Sequence, residues 1–153
     1  MAADAKAGSL KWTKPAGWTE AKNASSMRVA TYQVAKAEGD AEGAEMSVIV
    51  AGGTAAANIE RWEGQFGGAK AKTTQKNPND TPVTLVEIDG EYAGGGPMMG
   101  GTGEKKPGFM LLGAIVASAG GQSYFFKLTG PKKTMEATRK DFDALVDSIG
   151  PAK

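Results

Sequence analysis

Glu87, Asp89 and Glu91 stand at alternate positions of one stretch. Paired carboxylates are what a glycosidase-type hydrolysis uses, with one acid and one base or nucleophile facing each other across a cleft. Alternate positions of an extended chain put all three on one face, where solvation accounts for them. Met98 and Met99 are adjacent, and Met110 follows eleven residues after Met99. Thioethers are soft ligands that suit Cu(I), but a site without Cys or His would need about three sulfurs to converge. Flexible apolar contact is the plainer role for this pair. Asn58, Arg61 and Gln65 fall at i, i+3 and i+7 around Trp62. That spacing sets a polar row beside an apolar helical stripe, fit to meet a partner or to bond the neighbouring sheet.

The chain has no Cys and no His. Thiol nucleophiles, disulfides, zinc fingers and iron–sulfur clusters need Cys. Ser-His-Asp catalysis, imidazole acid–base chemistry and most transition-metal sites need His. Gly100-Gly-Thr-Gly103-Glu-Lys-Lys106 lacks the spacing of a P-loop and of a dinucleotide fingerprint, and it leads toward a strand rather than a helix N-terminus. Lys and Arg number 18 against 17 Asp and Glu, for a net charge of +1. Such a balance excludes the basic excess of a nucleic-acid binder. No run of about 20 apolar residues is present to form a membrane-spanning helix. On this reading no residue is catalytic, no metal ligand set exists and no cofactor is expected. The candidate binding residues are Asn58, Arg61, Gln65, Met98 and Met99.

The elements that must hold these residues follow from periodicity. One domain is expected over residues 10–150, behind a tail at residues 1–9 too small and polar to order itself. A chain of this length buries roughly 70% of its unfolded surface, enough for a core without staples. Leu10–Trp12 and Trp18–Lys22 flank a Pro15–Gly17 turn, with both tryptophans as anchors of the first hairpin. Strands follow at residues 27–36 and 45–51, where apolar and polar positions alternate. Ile59, Trp62 and Phe66 then define a helix over 55–66, stopped at Gly67-Gly68. A polar loop at 69–82 and a strand at 83–93 come next.

Residues 94–108, with seven Gly and two Pro, form a long connection. Connections of that length are functional or mobile. Phe109–Val116 and Tyr124–Leu128 are apolar strands of a hairpin. Met135, Phe142, Leu145, Val146 and Ile149 share one face of a closing helix that ends at Gly150-Pro151. Short links between strands favour antiparallel pairing. The expected fold class is α+β: an antiparallel sheet of about six to seven strands with two main helices packed on it.

Trp12-x-x-Pro15-x-Gly17-Trp18, the segment Ala57–Phe66, and Tyr124-Phe-Phe-Lys-Leu-Thr-Gly-Pro131 with the closing helix together resemble the Mog1/PsbP-like fold. They are also similar to exported bacterial lipoproteins of unknown function with that architecture. The resemblance implies a non-enzymatic accessory or binding protein whose partner is an unknown protein or small molecule. It implies a periplasmic or cell-envelope location, with the signal sequence and a lipid-bearing, membrane-tethering Cys removed from the N-terminus. The alternatives on the residues alone are a Met-based Cu(I) carrier and a carboxylate-dependent hydrolase.

Overall fold

The computed structural model describes residues 4–7, 10–15, 17–20, 28–35, 39, 43–51, 55–66, 69–78, 81–92, 106–117 and 123–151. The first strands are β1 (Asp4–Ala7), β2 (Leu10–Thr13), β3 (Thr19–Glu20), β4 (Arg28–Val34) and β5 (Ala44–Ala51). Helix α1 (Ala55–Gln65) follows, then β6 (Lys72–Lys76), β7 (Val83–Tyr92), β8 (Lys106–Ala117) and β9 (Ser123–Pro131). Helix α2 (Lys132–Ser148) and a short β10 (Gly150–Pro151) complete the order.

Seven strands form one sheet in the order β3-β4-β5-β9-β8-β7-β6, and every pair in it is antiparallel. The hairpin of β8 and β9 lies at its centre, where near-continuous apolar runs belong because both faces are covered. A separate three-stranded sheet, β1-β2-β10, joins the two ends of the described chain.

Alternation along β8 shows which helix covers which face. Met110, Leu112, Ala114 and Val116 point into a large cluster with Tyr32, Met46, Val48, Phe126 and Leu128. Helix α2 closes that cluster with Met135, Phe142, Leu145, Val146 and Ile149, the five residues expected from its periodicity. Phe109, Leu111 and Ile115 point the other way, into a smaller cluster with Val86, Ile88 and Phe125 that Trp62 of α1 and Phe66 just after it cover. The sheet is therefore sandwiched, with one helix on each face.

Trp12 and Trp18 are buried anchors, but the expected first hairpin is absent among the described residues: β2 pairs with β1 and β10 in the small sheet, whereas β3 pairs with β4 in the large one. Trp12 Nε1 donates to Tyr32 Oη at 3.0 Å, and its ring meets Phe126 edge-on at 5.0 Å. Trp18 Nε1 donates to Thr138 Oγ1 of α2 at 3.2 Å. The far end of α2 is tied down as well: the Thr13 amide donates to Ser148 Oγ at 2.7 Å.

Other stretches differ from the sequence reading as well. Residues 106–108, inside the expected connection over 94–108, already belong to β8. Lys72–Lys76, inside the expected polar loop, is the edge strand β6 and pairs in full with β7. Its first four residues are exposed on both faces, so no apolar alternation marks it. Backbone pairing alone makes it a strand. Asp4–Ala7, inside the expected tail, pairs as β1 with β2 for the same reason.

Candidate functional site

Helix α1 carries the candidate polar row, and the row's position is set by Trp62. Trp62 is buried and lies over Gly113 of β8, where an added Cβ would come within 2.5 Å of its ring. Gly113 in turn faces Lys127 of β9 across the strand pair. With no side chain at position 113, the indole approaches the strand closely there.

Gln65, one turn after Trp62 and the last residue of α1, reaches that lysine. Lys127 Nζ donates to Gln65 Oε1 at 2.5 Å and to the hydroxyl oxygen of Tyr92 at 3.3 Å. The same ammonium lies 5.3 Å from the Tyr92 ring centroid, within cation–π range. Tyr92 ends β7 just after a register shift between Gly90 and Tyr92. Its ring stacks on Phe109 at 5.8 Å with 5° between the planes, and contacts Phe66 at 5.1 Å. The result is a half-buried knot of Gln65, Tyr92 and Lys127 on an aromatic floor.

The other two members of the row stand apart from this knot. Asn58 is half-buried, and its Nδ2 is buried with no hydrogen-bond acceptor among the described residues. Arg61 is exposed and meets no carboxylate or other acceptor among the described residues. The nearby Glu63 is occupied, its Oε2 accepting from the Ala71 amide at 2.8 Å. Met98 and Met99 lie outside the described residues.

Glu87 and Asp89 of β7 sit on the opposite face and engage α2. Glu87 Oε1 accepts from Arg139 Nη1 at 3.0 Å. Asp89 Oδ2 is 3.9 Å from Lys132 Nζ. The Arg139 hydrogen bond holds the Glu87 carboxyl below its ordinary range, partly offset by burial and aided by the charges of Arg139, Lys72 and Lys132. Two of the three acids, Glu87 and Asp89, thus meet cations of the closing helix. Among the described residues no group of three or more Asp and Glu gathers as a metal ligand set.

Lys127 and Tyr92 are the residues that periodicity alone did not single out. Lys127 had a readable signal: it is the one charged residue within the strand Tyr124-Phe-Phe-Lys-Leu128, and charge inside such a run needs partners.

No family model matches the chain, and no curated protein matches it in sequence. Solved structures do. The chain is similar to the solution structure of cyanobacterial PsbP (CyanoP) from Synechocystis sp. PCC 6803, with a TM-score of 0.54 and 13% identity over 94% of this chain and 87% of that one. It is also similar to the crystal structure of PA94, a protein of unknown function from Pseudomonas aeruginosa, with a TM-score of 0.59 and 14% identity over 94% and 92% of the two chains. At such identities the likeness concerns architecture, and the architecture of this chain is PsbP-like.

Proposed function

We propose that the chain is a non-enzymatic accessory protein that works by docking a partner on the α1 side of its sheet. The observation carrying this reading is the polar seam of α1, where Asn58 and Arg61 have donors without acceptors among the described residues and Gln65 joins Lys127 and Tyr92. Catalysis would call for groups converging on one reacting atom, whereas these side chains are spread along a helix face. Their spread suits contact with an extended surface. The likeness in fold to CyanoP, itself PsbP-like, supports an accessory role in general terms.

The reading extends to export and an envelope location, with an upstream lipid-bearing Cys as the tether. No helix among the described residues is long and apolar enough to cross a membrane. The test is a photo-cross-linking residue at position 61, compared with one at position 143 on the outer face of α2, in cells that make the protein. A discrete adduct from position 61 alone, in the envelope fraction, is the expected result. Adducts of equal yield from both positions, or none from 61, would overturn the docking surface. A wholly cytoplasmic protein would overturn export.

A further inference from the structure

We propose that the partner segment received by Asn58, Arg61 and Gln65 is acidic, its carboxylates accepting hydrogen bonds from this row. The proposal rests on the docking role given to α1 and adds the chemistry of what docks. The argument is a count of donors and acceptors. Lys127 takes the Gln65 carbonyl oxygen at 2.5 Å, which leaves Gln65 to present its Nε2 donors. Those donors have no acceptor among the described residues. Asn58 Nδ2 is a donor, buried and without an acceptor among the same residues. The Arg61 guanidinium offers five donors and no acceptor. The exposed Arg61 therefore offers its donors to solvent, while the half-buried Gln65 and Asn58 hold amide donors with no acceptor among the described residues.

An unsatisfied buried amide is costly to a folded chain, and an arriving acceptor relieves that cost. The last torsion of an Asn side chain is broad, so the Asn58 amide can turn toward a ligand at the seam. Arg61 supplies the planar fork that pairs with a carboxylate through two parallel bonds. Lys127 adds a positive charge directly behind Gln65. Glu63 is held by the Ala71 amide, and the exposed Glu60 is the remaining acid next to Arg61 in sequence.

The span separates a segment from a small anion. Seven residues of helix cover about 10 Å, more than one phosphate or one carboxylate bridges. Alternate side chains of an extended acidic segment lie about 7 Å apart, so two or three carboxylates fit the length of the row.

The experiment titrates the full chain with a hexaglutamate peptide at low salt, with inorganic phosphate and hexalysine as comparisons. The side-chain NH2 signals of Asn58 and Gln65 and the Nε–H of Arg61 are followed by nitrogen–proton NMR. Saturable shifts of all three with hexaglutamate, weakened by added salt, are expected. Arg61→Ala should weaken binding about tenfold, with an unchanged melting midpoint because Arg61 is exposed. No saturable shift, equal shifts with phosphate, or unaltered affinity in Arg61→Ala would each overturn the acidic segment. A discrete cellular adduct at position 61 alongside such a failure would leave the docking role standing. Hexaglutamate binding without any adduct would remove that role instead.

Discussion

Gly113 and Trp62 are matched across the sheet–helix interface: a methyl group at position 113 would lie 2.5 Å from Trp62 Cζ3 and 3.0 Å from Cη2. The indole is rigid and buried, so it cannot step aside as the end of a flexible chain would. Gly113→Ala should therefore cost about 1–3 kcal/mol from overpacking. Denaturant melts would measure it, and the displaced helix should loosen the Gln65–Lys127 contact. An unchanged midpoint would mean that α1 is not seated on Gly113.

Phe142 anchors the opposite helix. It is buried at 2% exposure in the same cluster as Met135 and Leu145. Phe142→Ala should cost roughly 3–5 kcal/mol, combining lost transfer energy with a cavity. A loss below about 1 kcal/mol in urea melts would contradict the docking of α2.

Tyr32 and Trp12 share a buried hydrogen bond. Tyr32→Phe keeps the ring but leaves the indole N–H without its acceptor, at a cost of about 1–3 kcal/mol. Burial raises the Tyr32 phenol above its ordinary 10.0, opposed by the Trp12 bond and aided by the charge of Glu20. A raised folded value contributes stability below the unfolded value, and that contribution disappears as pH rises through the folded one. Ultraviolet titration of the folded chain should show one tyrosine ionising late, and Tyr32→Phe should remove that late step.

Glu87 and Arg139 give the acid side of the pH profile. The bond from Arg139 lowers the Glu87 carboxyl, so its contribution is present above the ordinary carboxylate range and fades as pH falls through the lowered value. The Arg139 guanidinium is raised further by the same bond and adds no acid dependence. Both side chains are partly exposed, at 28% and 40%, so the effect is small and salt-sensitive. Glu87→Gln should lose stability near neutral pH and show a shallower decline than the parent as pH falls through and below the ordinary carboxylate range. Parallel declines in parent and variant would show that the pair is not formed in solution.

The sequence by itself determined the elements that have an apolar face. Alternation in β4, β5 and β7 and the stripes of α1 and α2 follow from which side chains must leave water. Burial agrees at Tyr32, Met46, Val48, Val86, Trp62, Phe66 and along α2, while Thr31 and Ser47 are buried as well and Ile59 only partly. The tryptophan anchors were legible because large aromatics flank a tight turn. β6 and β1 were not legible, since their pairing rests on backbone groups that every residue carries. The site divides in the same way. The Asn58–Arg61–Gln65 spacing can be read from the chain, because a helix fixes which residues share a face. That Gln65 meets Lys127 and Tyr92, 62 residues on from Gln65 in one case and across a different strand in the other, is decided by strand order. Gly113, one of 22 glycines, acquires its meaning when the central hairpin brings it beneath Trp62, because close packing between distant segments leaves no periodic trace in the sequence.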